Sequence, residues 1–161
     1  KRYSEMKKIP NELFFGWVES EIAEGHSVQF RAKGVSMYPL IVGGRDEILL
    51  SPCSSKELAP MDVVLFKYRG RHIMHRIIRR EGHALTMKGD GSYVNEEECT
   101  VDDVIGKVQA IIRPSGKVIS VDSWRWKVPS YLWSKMGRWR IPILRILHYM
   151  NRITNLKDKN I

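Results

Sequence analysis

The spacing of apolar side chains divides the chain into three parts, of which the first is predicted to be helical. Between residues 11 and 24, apolar residues recur at helical spacing, with Phe14 and Val18 on one face. Asn11 is predicted to cap the start of this helix, and Gly25 to end it in the left-handed conformation. The helix belongs to a lead segment of residues 1–26.

Between residues 27 and 122 the pattern changes to short segments rich in Val, Ile and Phe, several of which alternate apolar with polar side chains. Glycine and proline turns separate the segments, and no helix-length pattern interrupts them. The predicted strands are 28–32, 46–50, 62–66, 72–78, 84–87, 104–112 and 117–121. This order predicts a mainly β domain of coiled, barrel-like antiparallel sheets, between an N-terminal helix and a C-terminal amphipathic helix.

Residues 123–161 have a third pattern, in which four tryptophans lie among basic residues and a second helical repeat follows. The repeat predicts an amphipathic helix, with Pro142 tolerated in its first turn. Its apolar face is predicted to carry Ile143, Ile146, Leu147, Met150 and Ile153. Its polar face is predicted to carry Arg145, His148, Arg152 and Asn155. We expect an extension that packs on the β domain or lies at a membrane surface.

Charge sets this extension apart from the rest of the chain. The formal net charge is +9, and residues 113–161 account for all of it, with eleven cations and two acids. A basic amphipathic helix approached by tryptophans can lie in a membrane interface. The candidate membrane-surface residues are Arg138, Trp139, Arg140, Arg145 and Arg152. The alternative is that the apolar stripe packs on the β domain and the arginines face water.

The sequence lacks a membrane-spanning run, a nucleic-acid-binding motif and a clear metal site, which limits the expected location and partners of the protein. No apolar run reaches the roughly 20 residues that a spanning helix needs, so we expect a cytoplasmic or peripheral membrane protein without a transmembrane anchor in this chain. No DNA- or RNA-binding motif occurs, so nucleic acid is not an expected partner. His72 and His75 would point to opposite faces of one strand, which argues against a metal site.

The stretch "KGVSMYPLI", residues 33–41, places a small hydroxyl in a pinched apolar turn. A serine hydroxyl attacks a carbonyl only when a base takes its proton and donors hold the oxyanion. Gly34 lets the backbone approach closely, so backbone N–H groups near Gly34 and Ser36 are candidate oxyanion donors. Met37 and Pro39 are candidate substrate contacts. An ordinary turn serine is the alternative.

His75 is the candidate base because of its strand parity. In "IMHRI", residues 73–77, alternate residues share a face, so His75 lies with Ile73 and Ile77 on the expected inner face. Burial there favours the neutral, proton-accepting imidazole. A hydrogen-bonded core histidine is the alternative. Asp90, in the glycine-flanked turn of "MKGDGS", is the candidate acid that orients the ring, although an ordinary hairpin Asp-Gly has the same pattern.

Five short motifs occur in a characteristic order between residues 27 and 112: "GVSMYP", "DVVLFK", "MHRIIRREG", "TMKGDGS" and "VIGKV". In this the chain resembles the signal peptidase I family, within the serine peptidases that include the self-cleaving SOS-type repressors. Histidine at position 75, where bacterial signal peptidases use lysine, is similar to the endoplasmic-reticulum and archaeal branch and to small bacterial relatives. A family glycine is replaced by Met61, and many lysine-type relatives have a hydroxyl residue where this chain has Gly34.

The resemblance implies a serine endopeptidase with Ser36 as nucleophile, His75 as general base and no cofactor. The family's second acid, about six residues after the KGD motif, would fall on Glu96, which is therefore a reserve candidate behind Asp90. The implied substrate is a peptide or protein with a leader or signal segment, bound extended beside a sheet edge. A relative of the peptidases that no longer cleaves and acts as a membrane-associated accessory module is the alternative function.

Overall fold

A computed structural model describes residues 10–92 and 94–157, with the backbone alone for 153–157. In this part of the chain, eight antiparallel strands form one sheet between an N-terminal helix and a C-terminal helical extension, which confirms the predicted fold class. The first nine residues of the lead, and the side chains of Ile153 and Asn155, lie outside the described residues.

The helices are α1 (Asn11–Ala23), α2 (Trp124–Lys135) and α3 (Arg140–Lys157). The strands are β1 (Val28–Arg31), β2 (Glu47–Ser51), β3 (Val63–Tyr68), β4 (Arg71–Glu81), β5 (Ala84–Lys88), β6 (Glu97–Thr100), β7 (Val104–Ile112) and β8 (Val118–Ser120). The strand order is β1-β2-β7-β3-β4-β5-β6, and β8 pairs with β7.

Strand β3 lies in the middle of the sheet and is buried on both faces. Val63 and Leu65 pack into one hydrophobic cluster with α1, β1 and β7, whereas Val64 and Phe66 pack into a second cluster with β4 and β5. A strand between two cores loses the apolar–polar alternation and becomes a continuous apolar run, as "VVLF" does here. The two clusters therefore lie on opposite faces of the same strand.

Local sequence signals fixed most boundaries but missed two features. The strand β6 was not predicted, because two of its four residues are glutamates, which have low strand propensity. Helix α1 begins after Pro10 and not at an Asn11 cap, and the Asn11 side chain accepts a hydrogen bond from Lys33 Nζ instead. Gly25 ends the helix with a φ of 90°, as predicted.

The C-terminal extension packs on the sheet through three large side chains. Trp126, Trp133 and Leu144 are buried, and the guanidinium of Arg76 in β4 lies 5.4 Å from the ring centre of Trp126. None of the helices in the described ranges combines the length and the hydropathy that crossing a bilayer requires. Trp126, Trp133 and Leu144 therefore help to attach the extension to the β domain.

Candidate active site

Ser36 lies in a closed loop that leaves the sheet after β1 and returns before β2. The ends of the loop are joined by hydrogen bonds from Ala32 N to Asp46 O (2.9 Å) and from Gly44 N to Ala32 O (2.8 Å). Inside it, the backbone of Gly43 passes so close to Gly34 that a Cβ on Gly43 would lie 2.1 Å from Gly34 O. The two glycines permit this pinch, which holds Ser36 at an exposed position.

The buried carboxylate of Asp46 fastens the serine loop to the sheet. It accepts hydrogen bonds from Val42 N (2.8 Å), from Arg45 and from Arg113 in the loop after β7. Arg113 also donates to Leu40 O at 3.3 Å. Burial alone would raise the pKa of Asp46, but hydrogen bonds from Arg45 and Val42 and the charge of Arg113 hold that pKa below its usual value.

The turn after β5 brings the serine loop and the histidine together through two glycines. Gly91 N donates to Ser36 O at 2.8 Å. A Cβ on Gly89 would lie 2.4 Å from Ser36 O and 2.9 Å from His75 Nε2. Any side chain at position 89 would therefore push the serine backbone and the imidazole apart.

His75 lies in β4, opposite Val64 of β3, and is 7% exposed. Its ring contacts Phe66, at 6.2 Å between ring centroids, on the side of the second hydrophobic cluster. Ile73 and Ile77 pack into that same cluster, so the predicted strand parity is confirmed. His72 points to the other side, where its Nε2 is 2.5 Å from Glu19 Oε1 and its ring stacks on Phe15.

The carboxylate that contacts His75 belongs to Glu97, the first residue of β6. His75 Nδ1 and Glu97 Oε2 are 2.8 Å apart, and both side chains are largely buried. A neutral ring that donates from Nδ1 has an unprotonated Nε2, which is the nitrogen beside Gly89. The ring is therefore oriented with its accepting nitrogen toward the serine turn.

Strand register explains why Glu97 reaches the ring and its neighbours do not. Ile77 pairs with Met87, and Met87 pairs with Glu97, so these three side chains share one face of the sheet. His75 is two residues from Ile77 and lies on that face too. Glu98 is on the other face, where it accepts a hydrogen bond from Thr86 Oγ1 at 3.0 Å.

The prediction that Asp90 orients His75 is wrong. Both carboxylate oxygens of Asp90 accept hydrogen bonds from Arg76, at 2.9 Å from Nε and 2.8 Å from Nη2, in a buried ion pair. Strand parity places Arg76 on the face opposite His75, and Asp90 follows Arg76 there. The reserve candidate Glu96 is also wrong, because its side chain is 45% exposed and lies 3.7 Å from Lys88 Nζ.

The C-terminal extension also reaches this turn. Trp133 Nε1 donates to the backbone carbonyl of Asp90 at 2.9 Å, and Arg140 Nη2 donates to the same oxygen at 2.5 Å. Burial lowers the pKa of Arg140. The prediction that Arg140 belongs to a membrane-facing surface is therefore wrong, since its guanidinium lies over Trp133 and points into the domain.

Ser36 and His75 line one groove of about 350 Å³. Its walls are largely apolar and include Phe14 and Phe15 of α1, so the N-terminal helix covers one side. Of the two predicted substrate contacts, Met37 lines the groove, whereas Pro39 is absent from its walls. The groove is also lined by Phe30, Ala32, Gly34, Ile41, Leu65, Ile73 and Met74.

The hydroxyl and the backbone N–H of Ser36 make no hydrogen bond among the described residues. No hydrogen bond joins Ser36 Oγ to His75 there, and catalytic hydrogen bonds are often formed only when a substrate is bound. The N–H groups of Ser36 and Met37 donate to no backbone or side-chain acceptor within the described ranges. Gly34, with a φ of 76°, sets the turn that leaves these donors uncommitted.

Comparison with known proteins adds no relative to this picture. No protein-family model matches the chain, and no curated protein matches it significantly. The functional reading of the groove therefore rests on its own residues and on the motif resemblance.

Proposed function

We propose that the chain is a serine endopeptidase of the signal-peptidase type. The observation that carries the proposal is the arrangement around His75: Glu97 at Nδ1, and the serine turn across Gly89 from Nε2. The three residues are arranged as in the serine triad, with Ser36 as nucleophile, His75 as base and Glu97 as the acid that orients the base. A histidine that served only the core would not be expected to line a groove beside an exposed serine.

The proposed reaction assigns one role to each of these residues. His75 Nε2 takes the proton of Ser36 Oγ as that oxygen attacks the scissile carbonyl, and the imidazolium is stabilised by Glu97. The N–H groups of Ser36 and Met37 hold the oxyanion. His75 then gives the proton to the leaving amine, which leaves an ester on Ser36. A water molecule, deprotonated by His75, attacks the ester, and the released serine recovers its proton.

The groove suits an extended peptide. In the described part of the sheet, residues 71–75 of β4 pair only with β3, and β1 pairs only with β2. Both strands therefore present unpaired backbone groups beside the groove, and an extended substrate can pair with such an edge. From the motif resemblance, the proposed substrate is a leader or signal segment with small residues next to the cut.

The test compares wild type with Ser36→Ala on a peptide library prepared by digesting a proteome, with new termini identified by mass spectrometry. Wild type is expected to produce cleavages after a restricted set of side chains, and Ser36→Ala to produce none. Ser115→Ala removes an exposed turn hydroxyl elsewhere and is expected to match wild type. Equal cleavage by Ser36→Ala would refute the mechanism. No cleavage by wild type would favour a peptide-binding module that does not cut.

A further inference from the structure

We propose that helix α3 and the turn before it form a docking face for an anionic lipid bilayer. We call this surface the α3 outer face and define it by Arg138, Trp139, Arg145, Ile146, Tyr149, Met150 and Arg152. These residues are exposed on the C-terminal extension, and membrane docking through them does not depend on the peptidase activity proposed for the groove.

The two sides of α3 differ in exposure, and the exposed side carries large apolar residues that the domain does not bury. Its inner side carries Leu144, which is fully buried, and His148, whose ring stacks on Tyr38 at 5.1 Å between centroids. Its outer side carries Ile146, Tyr149 and Met150, which are 59%, 67% and 58% exposed. Ile146 and Met150, two members of the predicted apolar stripe, are therefore more than half exposed and do not belong to the buried core.

The exposed apolar side chains follow helical spacing and continue into the preceding turn. Positions 145, 146, 149 and 150 share one side of the helix, so Arg145 lies beside the apolar residues. Trp139, in the turn between α2 and α3, is 74% exposed and adjoins the exposed Arg138. Tryptophan and tyrosine at a boundary between apolar and basic side chains are typical of the headgroup level of a bilayer.

The charge around this face is of one sign. Residues 123–157 contain eight lysines and arginines and no acidic residue. Of these, Arg140 turns inward to Asp90, while Arg138, Arg145 and Arg152 are exposed. Anionic headgroups would meet the cations of this segment, and residues 123–157 themselves contribute no carboxylate to repel them.

The same charge pattern argues against other occupants. A second copy docked through this face would place arginine against arginine, because an isologous contact pairs a patch with itself. A nucleic acid would use the cations but would leave Ile146 and Met150 unburied, since bases and phosphates offer little aliphatic contact. A bilayer interface takes both kinds of side chain, with the helix lying on the membrane surface.

The contact between His148 and Tyr38 connects helix α3 to the loop that lines the groove. Tyr38 belongs to the serine loop, two residues after Ser36, so α3 is attached directly to the loop that carries the nucleophile. A protein bound through the α3 outer face would therefore keep the groove near the membrane surface.

The test is co-sedimentation of the full chain with phosphatidylcholine vesicles, with and without phosphatidylglycerol. Wild type is expected to bind only the vesicles that contain phosphatidylglycerol, and less as salt is raised. Arg138→Gln/Arg145→Gln should weaken binding about 25-fold, at about fivefold for each cation. Trp139→Ser/Ile146→Ser should also release the protein, because the apolar contact is lost.

A control variant tests whether the loss of binding is specific to the α3 outer face. Lys56→Gln/Arg71→Gln removes two exposed cations elsewhere and should change binding by no more than about twofold, since charges beyond a Debye length are screened. Each variant is first shown to unfold at the wild-type temperature. Absence of binding to anionic vesicles, or equal loss in the control, overturns the proposal. So does a wild-type dimer that Ile146→Ser converts to a monomer, or tighter binding to a single-stranded oligonucleotide than to vesicles.

Discussion

Asp90→Asn should destabilise the fold strongly, because the Asp90 carboxylate is hydrogen-bonded to Arg76 in a buried ion pair. The substitution removes the charge that pairs with Arg76, whose side chain is only 2% exposed. Arg76 would keep its hydrogen bond to Met61 O (2.8 Å) and its contact with Trp126, but no anion would balance the guanidinium. A buried charge without a partner is among the costliest defects that a single substitution can create.

The size of the effect follows from the geometry. Removing one member of a buried pair costs about 3–5 kcal/mol, and asparagine still offers one oxygen to Arg76, so we expect about 3 kcal/mol. For a chain of this length that corresponds to a fall in melting temperature of roughly 6–12 °C. Adding Arg76→Met to Asp90→Asn should recover part of the loss, because no uncompensated charge then remains buried.

Urea unfolding followed by tryptophan fluorescence measures this cost, since Trp126 lies on Arg76 and Trp133 donates to Asp90 O. Glu96→Gln is the control, because its exposed contact with Lys88 should be worth less than about 1 kcal/mol. If Asp90→Asn unfolds at the wild-type urea concentration, or no more easily than Glu96→Gln, the structural role of the Arg76–Asp90 pair is refuted.

Three further predictions concern single positions. Gly89→Ala should lower kcat/KM for a cleaved peptide about 100-fold, since its Cβ would displace Ser36 or His75. Gly16→Ala is the control and should match wild type, because a Cβ on Gly16 has no atom within 4 Å. Wild-type activity in Gly89→Ala would contradict the close approach of Gly89 to Ser36 and His75. Met61→Gly should raise the free energy of unfolding by up to about 1 kcal/mol, because Met61 has a φ of 83° that suits glycine, and a loss of stability in urea unfolding would disprove the strain. Burial, together with the nearby Asp103, Glu98 and Glu97, raises the pKa of Cys99 to about 11. Iodoacetamide should therefore modify Cys99 about 100-fold more slowly at pH 7.5 than an ordinary thiol, and the rate should rise with pH up to about pH 11. A rate that reaches a plateau near pH 9 would contradict the raised pKa.

Local patterns in the sequence were sufficient for the sheet and for half of the site. Alternation and turn residues predicted seven of the eight described strands. Parity along β4 placed His75 on an inner face, which the cluster around Phe66 and Ile77 confirms. These features depend on residues that are near one another in the chain, and a period of two or 3.6 is enough to find them.

The acid was missed because it depends on pairing across three strands. Glu96, Glu97 and Glu98 are chemically equivalent neighbours, and only the register of β6 against β5 decides which one faces His75. The ion pair between Arg76 and Asp90 could not be predicted from the sequence either. Without it, the Asp90 carboxylate in its glycine turn was a reasonable candidate to orient His75. One sequence signal was present: Glu97 and Cys99 alternate with Glu98 and Thr100 as a half-buried strand would.

The exposure of α3 could not be predicted from its periodicity. A helical apolar stripe shows that one face avoids water, but the partner of that face lies elsewhere in the fold or outside it. Here Leu144 is buried and His148 stacks on Tyr38, while Ile146 and Met150 are more than half exposed. The sequence left both outcomes open, and only the packed structure separates them.

The most direct test of the central claim is peptide cleavage by Glu97→Gln beside Glu96→Gln, with kcat measured on a peptide that wild type cuts. Glu97→Gln keeps the shape of the side chain but should lower kcat by about 10²- to 10⁴-fold, because His75 loses the carboxylate that fixes its tautomer. Glu96→Gln should leave kcat unchanged. Cleavage at the wild-type rate by Glu97→Gln, or a loss confined to Glu96→Gln, would contradict a site built from Ser36, His75 and Glu97.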